Sequence, residues 1–596
     1  MEPHAARAIP TEDGYDVFCT TQWPAETQAT VAQVLDIPFN NKCYTMICQS
    51  VLEIANVNDH KLLEKNINVS VRRIGGGYGS KISRPHILST AAAIAARKTK
   101  RPVRMVADLN LQMTYSGWRE PYYAKYTVGF DNSGKITALN IDITSDAGHV
   151  GNEASVGVLV AALQNSYYIP DFTFNAHVAK TDTAANTWCR APAHVEGIAT
   201  MENIIERVAH FLNKDPLEVR EQNMIQPNMK RFVLPPHERN VVMEDILPLL
   251  KEKSSLVERK KQVEDFNKAN RWKKRGLAVI PLCYGFDYPP FFRYPIQVAI
   301  YERDGTVAIS HGGIEMGQGI NTKVAQVAAF TLGIPLENIV IKSTDTMIGA
   351  NSTVTGGSFG SDLCSHGVRQ AAIALRLRLD VVREKMKKET GKDPTWVELV
   401  QKASAEDVDL CERYWTFTKE HPERYDIWGA TCMEIELDVL TGVYMIHRVD
   451  LIEDSGRSMS PYVDIGQVEG AFVMGLGFFT SELVKFNPET GQKLSNGTWE
   501  YKPPTALDIP VDFRITLLPN AKNPHGVLGS KATGEPPLCM AYAVVSALRQ
   551  AITSFRNDNG ITDWFDMHTP VTVEKAQLLC GVNPEQFELY KEASKL

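Results

Sequence analysis

Apolar and polar positions along the 596-residue chain switch between two periods. Residues 67–74, INVSVRRI, alternate like a half-buried strand and lead into the glycines at 75–77. Residues 195–212, VEGIATMENIIERVAHFL, instead carry Ile198, Met201, Ile205, Val208 and Leu212 on one helical face. Asp215-Pro216 then offers an N-cap followed by a first-turn proline, which predicts a second helix. The charged stretch 251–276 precedes the apolar run LAVIPLCYGF, and a domain boundary is predicted at 250/251. A chain this long exceeds what one core can serve. The predicted fold class is α/β (α+β), with two related domains, 1–250 and 251–596, each of mixed sheets with packed helices.

The pattern also repeats. Gln22 is followed by the helical TQATVAQVLDIP, a strand, and GGGYGS at 75–80. Gln318 is followed by the helical NTKVAQVAAFTLGIP, the strand IVIKSTD, and GGSFGS at 356–361. Gln22 to Pro38 spans 16 residues and Gln318 to Pro335 spans 17. Two such units predict similar half-sites facing one ligand. Beyond the Ile-Pro step the halves diverge: Pro38 to Gly75 spans 37 residues, but Pro335 to Gly356 spans only 21. The surplus near 43–65 reads as an insert.

Composition narrows the function classes. Sixty-three basic against 70 acidic residues give a net charge of −7, with no basic block for nucleic acid. Ten cysteines are scattered without a CxxC pair, so neither a zinc site nor an iron–sulfur cluster is suggested. No apolar run reaches the ~18 residues of a membrane helix. The terminal Ser594-Lys595-Leu596 matches the peroxisomal address; the alternative is a cytoplasmic chain with a chance match.

Several stretches carry candidate chemistry. GGGYGS lacks the GK[ST] ending of a phosphate-binding loop. Alone it reads as a tight turn; two such loops at matching repeat positions favour backbone N–H groups approaching a ligand. HGGIEMGQG at 311–319 and GQVEGAFVMGL at 466–476 place Gln318 and Gln467 among glycines, where a planar amide suits the edge of a pterin-like ring. In GSKATGEPPL, Glu535 opens a proline-started helix, either as a dipole-complementing acid or as a rigidly held general base. NTWCRAPAH sets Arg190 in a loop, either exposed or seating an anionic cofactor.

Together these stretches resemble the molybdenum hydroxylases, the family of xanthine dehydrogenase and aldehyde oxidase. GGGYGS is similar to that family's GGGFGGK, and HGGIEMGQG, DIGQVEGAFV and GSKATGEPP match its signatures closely. The resemblance implies two molybdopterin-binding domains and a molybdenum cofactor. It implies that the metal is held by the pterin dithiolene rather than by side chains. It implies Glu535 as the general base and Gln22 as a hydrogen-bond partner of the metal's oxo group. Gly77, Tyr78, Arg190, Met316, Gln318, Gly357, Ser358, Phe359, Gly360, Gln467 and Thr533 would line the cofactor. Ile82, Val158, Pro192 and Tyr288 would form the substrate pocket.

The same resemblance favours aldehydes over purines. Ile82 and Val158 stand where xanthine enzymes carry a glutamate and an arginine, and a purine site without charged partners recognises its substrate poorly. Pro192 replaces an aromatic that stacks on flat substrates. Iron–sulfur clusters and FAD, expected in the family, are not encoded in this chain. That implies missing upstream domains, a separate redox subunit, or an incomplete product acting only through dimerisation or partner binding. A homodimer working on a small-molecule aldehyde is the expectation, with purine hydroxylation as the alternative.

Overall fold

The computed structural model describes residues 1–35, 64–416 and 422–587. Residues 43–63 of the expected insert and Ser594-Lys595-Leu596 lie outside the described residues. The strands are β1 (Ala5–Pro10), β2 (Tyr15–Cys19), β3 (Ile67–Val71), β4 (Val103–Val106), β5 (Tyr122–Phe130), β6 (Ile136–Asp146), β7 (Asp171–Ala179) and β8 (Lys273–Phe286). They continue as β9 (Pro295–Ile300), β10 (Val307–His311), β11 (Ile339–Ile341), β12 (Thr344–Asp345), β13 (Cys411–Trp415), β14 (Tyr425–Asp438), β15 (Tyr444–Glu453) and β16 (Asp512–Leu517). Among the described residues they form four sheets, ordered β12-β3-β2-β1-β4, β5-β6-β7, β11-β10-β9-β13 and β16-β15-β14-β8. The mixed α/β class read from the sequence is what the structure shows.

The predicted elements follow from local chemistry. Pro24, Pro85, Pro216, Pro461 and Pro536 each open a helix, where a missing N–H costs nothing. Asp215 caps its helix by accepting the Leu217 N–H at 2.8 Å. The period-3.6 stretch is the helix His194–Phe211. The continuous apolar run after residue 276 is β8, which pairs with β14 along its whole length and is buried on both faces. At Gly276 a Cβ would lie 1.9 Å from the Ala547 carbonyl oxygen, so the helix Ala543–Asp558 rests directly on the strand backbone. The expected boundary at 250/251 falls within the helix Leu247–Lys253. The halves interlock: β12, from the second, adds to the edge of the first half's sheet beside β3.

One reading from the sequence is corrected. Pro536–Asp558 has the length and mean hydropathy, 1.3, of a membrane-crossing helix. Yet 83% of its apolar window is buried inside the fold, so it is a core helix by packing. A buried ionic network fixes it. Arg220 pairs with Glu202 at 2.7 Å and with Glu206 at 3.1 Å, and Arg549 pairs with Glu206 at 2.9 Å. This joins the helix His194–Phe211 to the helix Ala543–Asp558. Removing one partner from such a network costs about 3–5 kcal/mol, because a buried charge is stranded. The helix beginning at His194 and the chain entering at Pro536 carry Arg190 and Glu535 just before them.

Candidate active site

The repeat's two glycine loops face each other across a cavity of about 490 Å³. Gln22 joins them. Its Oε1 accepts the N–H groups of Gly79 at 3.0 Å and Lys81 at 3.3 Å. Its Nε2 donates to the Thr355 carbonyl at 2.8 Å, and its own carbonyl accepts the Thr355 N–H at 3.0 Å. Gln318, its counterpart in the repeat, lines the cavity but turns on its own loop, accepting the Met316 N–H and donating to the Ile314 carbonyl. The pseudo-equivalent glutamines therefore do different work.

Arg190 ties three walls together. Its backbone N–H donates to the Tyr78 carbonyl, Nε donates to the Gly534 carbonyl, and Nη2 donates to Gln467 Oε1 at 3.0 Å. Its loop is held in turn by Arg119, whose Nη2 donates to the Arg190 carbonyl at 2.7 Å. Ala191 and Ala193 adopt φ of 56° and 61°, left-handed values for residues that have a Cβ. Such strain persists where surrounding contacts over-determine it, as they do here.

Glu535 occupies the N-cap position before Pro536 but caps nothing. It lines the cavity, and its Oε2 accepts the Tyr284 hydroxyl at 2.6 Å. Burial, and then the Glu535 charge, push the Tyr284 phenol well above its ordinary value, so that it stays a donor. Three charged side chains line the cavity: Arg190, Lys323 and Glu535. Lys323 is committed to Asp464 at 2.7 Å, which also accepts from Thr533 Oγ1 at 3.3 Å. The cavity's apolar side chains include Ile82, Pro192, Phe291, Phe292 and Val354, and Ile82, Phe292 and Val354 belong to one core cluster.

Gly77, Tyr78, Met316, Gly357, Ser358, Gly360, Gln467, Thr533, Ile82 and Pro192 all line the same cavity as Gln22, Arg190 and Glu535. Three expected residues do not. Val158 sits 50% exposed on the helix Val156–Gln164, whose buried face is Leu159, Ala162 and Leu163. The Tyr288 hydroxyl is drawn into the core to donate to Asp362 at 2.7 Å. Phe359 heads the helix Phe359–Thr390, and its ring packs behind Phe292 at 4.8 Å between centroids. Sequence reasoning missed Phe291, Phe292, Trp188, Lys323 and Tyr284. The doubled aromatic after a proline pair in DYPPFF was the one available signal, since such a turn presents side chains outward.

The cavity fits an anionic, edge-recognised cofactor. Ser361, in the first turn of the 32-residue helix Phe359–Thr390, lines it, and its buried Oγ has no partner among the described residues. A Cβ on Gly77 would strike Gln22 and Met316 within 2.8 Å, so that wall admits only backbone. Unfilled donors at a helix N-terminus beside a wall of bare backbone suit phosphate and a flat polar ring. Among the described residues no group of histidine, cysteine or carboxylate side chains is placed to hold a metal ion.

Comparison with known proteins agrees. Residues 49–224 and 249–510 each match a family model described as a molybdopterin cofactor-binding domain. The chain is 35% identical to a xanthine dehydrogenase of Dictyostelium discoideum, over 97% of this chain and 42% of that protein. It is also 35% identical to an indole-3-acetaldehyde oxidase of Zea mays, over 98% of this chain and 42% of that protein. The fold is shared with the crystal structure of quinoline 2-oxidoreductase from Pseudomonas putida 86. That match has a TM-score of 0.82 at 21% identity and covers 98% of this chain and 75% of the other. The chain belongs to the molybdenum hydroxylase family of xanthine dehydrogenases and aldehyde oxidases, and its two halves carry the family's molybdopterin-binding domains. It spans 42% of the length of these two curated relatives.

Proposed function

We propose that this chain carries the catalytic centre of a molybdenum hydroxylase that oxidises aldehydes to carboxylic acids. Relatives of both substrate kinds match at the same 35% identity, so overall likeness does not choose between them. One observation carries the choice. The cavity carries the apolar side chains Ile82, Pro192, Phe291, Phe292 and Val354, while Lys323 is paired with Asp464 and Arg190 donates to Gly534 and Gln467. A purine offers several ring nitrogens and exocyclic oxygens that need charged or hydrogen-bonding partners, and unmatched groups in a dry site cost heavily. An aldehyde with an apolar body leaves no such group unmatched.

When bound, the molybdenum cofactor supplies a two-electron redox centre that places an oxygen derived from water on the substrate carbon. The chain's residues do the rest. Glu535, with Oε2 occupied by Tyr284, presents Oε1 to accept a proton. Gln22 keeps the two glycine loops at a fixed spacing, and the second Nε2 hydrogen of its amide is the one left to offer the cofactor. Ile82, Phe291, Phe292 and Val354 exclude water and seat the apolar body. The electrons would need an acceptor outside this cavity, a role that iron–sulfur and flavin centres on a further segment or a partner subunit would fill. The same proposal includes a homodimer and delivery to peroxisomes through Ser594-Lys595-Leu596.

The test is direct. Protein produced with molybdenum supply should contain about one molybdenum per chain and oxidise aldehydes with a dye acceptor far faster than purines. Glu535→Gln should abolish that turnover while keeping the metal. Faster purine than aldehyde turnover rejects the substrate assignment, and an undiminished Glu535→Gln rate rejects the base.

A further inference from the structure

We infer that Tyr284 is a positioning residue for Glu535: its hydroxyl stabilises the ionised carboxylate through Oε2 and so leaves Oε1 fixed toward the cavity. The inference rests on the reading of Glu535 as the base. Tyr284 lies in β8 opposite Ile427 of β14, 4% exposed, and does not line the cavity. It touches the reaction only through Glu535. The 2.6 Å separation is that of a strong O–H to carboxylate bond.

The phenol cannot swing away. Its ring stacks on His194 with centroids 4.3 Å apart and planes 17° apart. Burial, against the pull of Glu535, keeps the His194 imidazole neutral. Its Nδ1–H donates to the Pro192 carbonyl at 3.1 Å. Pro192 lines the cavity, so one chain of contacts runs from the substrate wall through His194 and Tyr284 to the base.

The other groups facing Glu535 are already occupied or neutral. Arg190, from the loop before the helix His194–Phe211, spends its guanidinium on Gly534 and Gln467. Cys539, one turn along the helix from Glu535, is buried, and burial keeps its thiol protonated. Tyr284 is thus the direct donor to Glu535 among the described hydrogen bonds. A hydrogen bond donated to a carboxylate is stronger to its ionised form than to its protonated form. A tyrosine serving only to fill the core would be replaceable by phenylalanine without any change in pH behaviour.

The experiment compares wild type, Tyr284→Phe, Tyr284→Met and Glu535→Gln, all metal-loaded and checked for equal molybdenum and thermal stability. One readout is kcat/KM for an aldehyde against pH. The other is the infrared carboxylate band isolated as the wild type minus Glu535→Gln difference, followed against pH without turnover. In both Tyr284 variants the acid limb and the band's disappearance should move to higher pH by about one unit. An unmoved band in a folded Tyr284 variant overturns the inference, whatever the activity. If Glu535→Gln stays active while the band still moves, the base assignment falls and the Tyr284–Glu535 pairing stands.

Discussion

Glu2 holds the first glycine loop closed, and its removal gives a measurable opening. One carboxylate oxygen, Oε2, accepts both the Gly75 N–H at 2.8 Å and the Lys81 ammonium at 2.8 Å. The Glu2 N–H donates back to the Gly75 carbonyl at 2.9 Å. A single side chain therefore grips the loop at both ends. The Lys81 side chain is 0% exposed and Glu2 is 41% exposed, so the lysine depends on Glu2 more than Glu2 depends on it. Glu2→Gln keeps one acceptor but removes the charge. A hydrogen bond to a charged group is worth roughly 1.5–3 kcal/mol, and water reaching the exposed side recovers part of it. About 1.5 kcal/mol remains, equal to roughly tenfold more loop opening. Hydrogen exchange followed by mass spectrometry reads this directly. Peptides covering 74–82 should exchange about tenfold faster in the variant, while the adjoining helix Pro85–Thr99 stays unchanged. Molybdopterin retention should fall in parallel. Burial raises the Glu2 pKa, but the bonds from Lys81 and Gly75 outweigh it and hold it below the ordinary value. The clamp is thus fully present above the ordinary carboxylate range and is lost as pH falls through the depressed value. Exchange over 74–82 within twofold of wild type at neutral pH refutes the clamp.

Three further predictions concern the cavity and the core. Ile82→Glu puts a carboxyl into the apolar wall and should lower aldehyde kcat/KM by about 10–100-fold; an unchanged purine-to-aldehyde ratio would remove Ile82 from specificity. Gly79 and Gly317 share a φ of +99°, yet a Cβ on Gly79 would lie 2.5 Å from the Trp188 carbonyl while one on Gly317 meets open space. Gly79→Ala should therefore cost about 1–3 kcal/mol more than Gly317→Ala in cofactor-free thermal unfolding, and equal losses would show that conformation alone matters. Burial, opposed by Arg119 and Tyr501, raises Glu482 from 4.5 to about 7. Its contribution to stability is full below pH 4.5 and is lost as pH rises to about 7. Glu482→Gln should accordingly gain about 3 kcal/mol on wild type across that window, and a pH-independent difference in melting would contradict the assignment.

The parts of the site legible in the sequence were those where one residue does one local job. Proline and aspartate at helix starts marked the elements, and the matching spacing from each glutamine to its Ile-Pro step, with a glycine loop beyond, marked the half-sites. What failed was inference along a register. Val158 was placed where the family's xanthine enzymes carry an arginine, but the helix Val156–Gln164 turns Leu159 and Leu163 inward and leaves Val158 half-exposed outside the cavity. Tyr288 and Phe292 are both aromatic and lie four residues apart in one turn. Only the packed structure shows that Asp362 draws the polar tip of Tyr288 into the core and leaves Phe292 with Phe291 at the cavity. Tyr284 was unreadable for a different reason. It lies in an unbroken apolar run, and its partner Glu535 is 251 residues away.

That distance is general in this site, and it has an energetic consequence. The lining comes from 22 and 77–82, from 188–192, from 291–292 and 316–323, from 354–361, from 466–470, and from 532–535. No local stretch can form the cavity alone, because each wall is held by bonds to another: Gln22 to Thr355, Arg190 to Gln467 and Gly534. A ligand that needs all the walls binds the folded chain and not the unfolded one, so its binding free energy adds to folding stability by mass action. The bonds that assemble the walls must then hold in the empty protein, or the ligand would have nothing to enter. This explains why the links among the walls are protein-to-protein hydrogen bonds already satisfied without it, while Ser361, whose Oγ has no partner among the described residues, and Glu535 both line the space between.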